Sequence, residues 1–187
     1  MIVTRLSPPV RSVVVRAYEF AARDQAGEIG EEHLLEAVLA DPGGSHLLGA
    51  PAFTDGLLGQ ARREVAESRR KGGLTAADTA ALVGLGIDMA TVVKRIEEQF
   101  GAQSLAPGPA KPPGRWRKPV FSAGVLGVLA EAERHLASTG DRSLGVDQLV
   151  LAMTSAPGVL AESLARYGIT ETSVRAGLST RAGGGAP

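Results

Sequence analysis

The sequence contains no cysteine, which removes disulfides, zinc–thiolate centres and thiol nucleophiles together. Aromatic residues make up only 4% of the chain, so the core must be built from Ala, Val and Leu, and few platforms exist on which single-stranded nucleic acid could stack. There is no excess charge of either sign, since 20 Lys and Arg face 20 Asp and Glu. No global field therefore draws the chain to DNA or to anionic lipid. No apolar run approaches the ~18 residues of a membrane span, and Met1-Ile2-Val3-Thr4-Arg5 lacks the apolar core of a signal peptide. A cytoplasmic location without membrane association is expected. A Gly-x-x-x-x-Gly-Lys-Ser/Thr phosphate loop is missing, and no Ser-His-Asp constellation stands at a recognisable spacing. Catalytic residues, a metal site and a cofactor are accordingly not expected.

What is present is enough hydrophobic material, 44% of 187 residues, for one ordinary domain or two small ones. It is arranged as a duplication. The stretch Ile29-Gly30-Glu31-Glu32-His33-Leu34-Leu35 has a diverged copy in Leu144-Gly145-Val146-Asp147-Gln148-Leu149-Val150. The same offset of 115 positions superimposes Leu6-Ser7 on Phe121-Ser122 and Asp41-Pro42-Gly43 on Ala156-Pro157-Gly158. After each serine the apolar spacing is helical. Val10, Val13, Val14, Ala17 and Ala21 form one stripe, and Val125, Val128, Leu129, Ala132 and Leu136 repeat it. Ser7 and Ser122 stand where helix N-caps belong. His33 aligns with Gln148, an exchange that a metal ligand or catalytic base would not survive, so His33 is assigned a structural role.

Later in the repeat the offset changes. Leu85-Gly86-Ile87-Asp88 matches Tyr167-Gly168-Ile169-Thr170 at an offset of 82, so the first copy carries 33 extra residues. These are placed in a helical insertion at about 44–80, containing an amphipathic helix over Thr54 to Arg70. Asp88 and Thr170 are expected to cap equivalent closing helices, with Val92 and Ile96 matching Val174 and Leu178. Gln103 to Pro119 holds five prolines and two glycines and cannot be regular structure. The expected layout is a first repeat over 1–101, a basic Pro/Gly-rich linker over 102–119, a second repeat over 120–180 and a flexible tail over 181–187. The fold class is all-α: two pseudo-twofold-related four-helix repeats, about eight helices, with the extra helical insertion in the first.

A serine-started helix, a Gly-led helix with an acidic residue in its first turn, and a closing Gly-Ile helix, all present twice, resemble the double Clp N-terminal (Clp R) repeat that precedes the ATPase rings of Clp-family unfoldases. The family's Ile-Gly-Thr-Glu-His-Leu-Leu pattern is met by Ile29 to Leu35 and more loosely by Leu144 to Val150. The resemblance implies a non-catalytic protein-binding module, here standing without the ATPase, whose partners are a Clp ATPase or its adaptors, substrates or small-molecule ligands. It further implies phosphoarginine-binding pockets in which Glu32 acts with Ser7, and Asp147 with Ser122. A carboxylate would pair with the guanidinium while a hydroxyl and helix-start amides hold the phosphate. The family threonine is replaced by Glu31 in one copy and by Val146 in the other.

The alternative reading from the residues themselves is a nucleic-acid-associated regulator using the basic pairs Arg62-Arg63 and Arg69-Arg70 and the cluster Arg115-Trp116-Arg117-Lys118. The zero net charge makes nucleic acid the less favoured partner. Trp116 is expected to pin the linker to the helical body.

Overall fold

A computed structural model describes residues 6–49, 54–70, 74–100 and 120–183. Ten helices occur among them: α1 (Pro8–Arg23), α2 (Glu31–Leu39), α3 (Pro42–Leu47), α4 (Thr54–Arg70), α5 (Ala76–Gly84), α6 (Met89–Phe100), α7 (Ala123–Thr139), α8 (Val146–Ser155), α9 (Val159–Arg166) and α10 (Glu171–Gly183). The chain is all-α. No single described helix is long and apolar enough to cross a membrane. The linker 102–119, with Trp116 and its basic neighbours, and residues 184–187 lie outside the described residues. The last helix extends to Gly183, past the expected end at residue 180.

The repeated stripes bury the same faces. Val10, Val13, Ala17 and Ala21 of α1 and Val125, Val128, Leu129, Ala132 and Leu136 of α7 all lie in one continuous core. Each of these helices packs along the next, α1 on α2 and α7 on α8. The two repeats then interlock. Helix α3 packs on α8, α4 on α9 and α10 on α3, with α1 meeting α8 and α2 meeting α7 at the centre. The two repeats thus share one core, in keeping with units of about 60 residues that bury too little alone.

This packing corrects the expected position of the insertion. Helix α4 crosses α2 and α9, and α10 crosses α8 and α3, so α4 is the pseudo-twofold counterpart of α10, and α3 of α9. Leu57, Ala61 and Val65 of α4 are buried, as is Val174 of α10. The additional elements are instead α5 and α6, which pack chiefly on each other and contribute no residue to the core. Val92 and Ile96 are only half-buried and do not repeat the role of Val174.

The motif that suggested otherwise is real but local. Gly86 and Gly168 adopt φ of 81° and 74°. The N–H of Ile87 donates to Leu82 C=O at 2.9 Å and that of Ile169 to Leu164 C=O at 3.0 Å. Both are Schellman-type helix stops followed by a new cap. Asp88 accepts from the Ala90 N–H at 3.0 Å, and Thr170 Oγ1 from the Ser173 N–H at 3.3 Å.

Candidate functional site

The acidic helix starts are positioned by half of a capping box. Gly30 and Gly145 are the N-caps of α2 and α8, and glycine offers no side chain to cap with. The third residue of each helix supplies the return bond. The Gly30 N–H donates to His33 Nδ1 at 2.9 Å, and the Gly145 N–H donates to Gln148 Oε1 at 2.7 Å. The far ends both face an aspartate: His33 Nε2 stands 3.7 Å from Asp24 Oδ2, beyond hydrogen-bond distance, and Gln148 Nε2 donates to Asp141 Oδ2 at 2.7 Å. Since Nδ1 accepts, the geometry assigns the proton to Nε2 of a neutral imidazole. His33 is buried and structural. His33→Gln should therefore keep thermal stability within about 1 kcal/mol of the parent, whereas His33→Ala should lose about 1 kcal/mol or more by leaving the Gly30 amide unpaired. Thermal melts followed by circular dichroism distinguish the two.

The serines do not join the carboxylates of their own repeat. Ser7 and the Asp24–Gly30 connection lie at opposite ends of α1, whose 16 residues span about 24 Å. The 17 residues of α7 separate Ser122 from the 140–145 connection by about 25 Å. The pairings of Glu32 with Ser7 and of Asp147 with Ser122 are thus overturned. Two isolated parallel bridges, Leu6 with Leu144 and Ile29 with Phe121, cross the pseudo-twofold instead. The Ser7 N–H donates to Leu144 C=O at 3.0 Å, the Ile29 N–H to Val120 C=O at 2.8 Å, and the Ser122 N–H to Ile29 C=O at 3.0 Å. Each helix start therefore faces one from the other repeat: the Glu32 end of α2 with the Ser122 end of α7, and the Asp147 end of α8 with the Ser7 end of α1.

The two composite sites differ in their anion-binding capacity. At the first, Ser122 Oγ accepts from the Val125 N–H at 3.2 Å, a true N-cap. A Cβ added to Gly124 would overlap the Glu31 carboxylate, so that carboxylate lies over the first turn of α7, where a phosphate would otherwise be drawn. Glu32 is buried at 8% exposure, with Oε1 3.6 Å from His33 Nδ1. At the second, Ser7 Oγ is buried and makes no hydrogen bond among the described residues, so Ser7 is not the side-chain cap expected of it. Pro8 and Pro9 occupy the first two positions of α1 and carry no N–H, so the first turn of α1 offers an anion fewer amides than that of α7. Asp147 is half-buried and its carboxylate folds back over Gly145.

The basic residues of the nucleic-acid reading are partly engaged. Arg62 pairs with Glu36 at 2.6 Å and Asp24 at 3.1 Å, while Arg23 forms a two-pronged pair with Glu36 at 3.0 Å on each prong. Arg63 donates to Gln60 Oε1 at 3.0 Å. The side chains of Arg69 and Arg70 lie outside the described residues. Burial alone would raise the Glu36 carboxyl, but the hydrogen bonds from Arg23 and Arg62 outweigh it and hold it below the usual range. Asp24 is lowered mainly by its hydrogen bond from Arg23. A depressed native pKa stabilises above the unfolded value and loses that stabilisation as pH falls. Glu36→Gln should thus destabilise by about 1–3 kcal/mol at pH 7, and the gap from the parent should close as pH drops below about 4. Urea midpoints measured at both pH values check this.

His135 is half-buried, with Nε2 2.9 Å from Ser155 Oγ and 3.5 Å from Glu131 Oε1. It ties α7 to α8. Glu131, one turn earlier, was the available sequence signal. His46 is exposed.

No family model matches the chain, and no curated protein matches it. Solved structures do. The chain is similar to the N-terminal domain of the caseinolytic protease associated chaperone ClpD from Arabidopsis thaliana, with a TM-score of 0.52, 14% identity, and 97% of this chain and 96% of that one covered. A structure from a malarial protein secretion system matches with a TM-score of 0.53 and 16% identity, over 95% of this chain and 94% of that one. The fold is that of a Clp chaperone N-terminal domain.

Proposed function

We propose that this chain is a non-catalytic protein-binding module of the Clp chaperone and protease system. It works in the cytoplasm beside an unfoldase, or in competition with it, by taking arginine- or phosphoarginine-bearing segments of substrates and adaptors. The observation that carries this reading is the pair of composite sites, each setting a carboxylate-bearing helix start of one repeat against a serine-led helix start of the other. The Clp-type fold supports the class of partner. A carboxylate at each site suits a guanidinium. Phosphate is the harder half of the ligand, since at the first site it has to displace the Glu31 carboxylate and at the second it meets Ser7 Oγ at a helix start whose first two residues, Pro8 and Pro9, carry no N–H.

The test is calorimetric titration of the chain with a phosphoarginine peptide and with the same peptide bearing plain arginine. Binding of the modified peptide in preference to the plain one is expected. If neither peptide binds, this choice of ligand is wrong. Co-purification of a Clp ATPase, or of its adaptors, from native lysate tests the wider assignment separately.

A further inference from the structure

Helices α5 and α6 are the one pair whose apolar surface the rest of the described structure leaves open. Val83, Leu85 and Ile87 are 58%, 77% and 41% exposed. Met89, Val92, Val93 and Ile96 recur at i, i+3, i+4 and i+7 on α6 and are only half-buried, whereas the helices of the two repeats close their stripes into the common core. The axes of α5 and α6 meet at 99°. One short helix crossing another at that angle covers little of its length.

The charges beside the stripe indicate what covers it. At 100° per residue, Arg95 and Glu97 stand about 100° to either side of Ile96 and flank the apolar face, while Lys94 and Glu98 fall on the opposite side. The far-side residues satisfy each other, with Lys94 Nζ 3.8 Å from Glu98. Neither Arg95 nor Glu97 makes a hydrogen bond or ion pair among the described residues. When two copies of such a helix lie side by side in parallel about a twofold axis, the flank carrying Arg95 on one meets the flank carrying Glu97 on the other, twice over. An antiparallel pair would set Arg95 against Arg95 and Glu97 against Glu97. A twofold contact uses the same patch on both partners, and charges at its rim fix orientation while the apolar centre supplies the attraction.

We infer that the α5–α6 unit is a self-association surface through which two copies of this chain pair, their α6 helices parallel, with Arg95 of each copy facing Glu97 of the other. This surface lies apart from the two composite sites and stands or falls independently of the ligand proposed for them.

Sedimentation equilibrium of the full chain should show a monomer–dimer equilibrium. Arg95→Glu and Glu97→Arg should each weaken self-association by roughly tenfold or more. An equimolar mixture of the two variants should recover the dimer. In the mixed pair the carboxylate introduced at position 95 of one variant faces the guanidinium introduced at position 97 of the other, and the second contact keeps its native pair. Circular dichroism of each variant controls for helix content, and recovery in the mixture excludes loss of folding. A wild-type chain that stays monomeric at every accessible concentration overturns the inference, as do dimers that persist unchanged in both single variants.

Discussion

Leu57→Ala is expected to destabilise the protein by about 2–5 kcal/mol, while Leu85→Ala should change stability by less than about 0.5 kcal/mol. Leu57 is fully buried where α4 lies across α2 and α9, and Leu85 is 77% exposed in the turn between α5 and α6. The contrast separates two views of the chain. If α4 were an appended insertion, truncating Leu57 would loosen one helix and leave the global unfolding midpoint almost unmoved. If α4 is the fourth helix of the first repeat, the cavity opens in the shared core and the whole cooperative transition shifts. Urea titrations followed by circular dichroism would show which view holds.

Glu32→Ala and Asp147→Ala are each expected to weaken phosphoarginine-peptide binding by roughly 10- to 150-fold, the equivalent of losing one charge-assisted partner worth about 1.5–3 kcal/mol. The crossed geometry adds a condition that same-repeat pockets would not meet. In double-mutant cycles, Glu32→Ala should couple to Ser122→Ala and be additive with Ser7→Ala, because Ser122 lies on the strand-like segment bridged to Ile29 and Ser7 on the one bridged to Leu144. Glu31→Thr should tighten the first site, since it removes the carboxylate lying over Gly124 at the start of α7. Calorimetry reads all of these, with far-ultraviolet circular dichroism as the folding control. Loss of binding without the predicted Glu32–Ser122 coupling would mean that the two residues do not share a ligand.

How much of this was legible beforehand follows the range of the forces involved. Helical periodicity, the caps at Ser122, Asp88 and Thr170, the Gly-led acidic starts at Glu32 and Asp147, and the structural part played by His33 all depend on residues within one or two helical turns. The chain therefore displayed them openly, along with the duplication and the all-α class. The Gly-Ile stops at Gly86 and Gly168 belong to the same group. A Schellman stop requires only a left-handed glycine and a few neighbouring carbonyls, so it recurs whatever the following helix packs against, and its repetition could not reveal that α6 lacks the place of α10. That place was decided by tertiary burial, which chose Leu57, Ala61 and Val65 of α4 over the half-exposed stripe of α6. The pairing of Ser122 with the Glu32 end of α2, and of Ser7 with the Asp147 end of α8, was likewise settled by backbone bonds between residues more than 90 positions apart. Sequence spacing carries no record of such contacts, because only the closing of two repeats around one core brings those helix starts together.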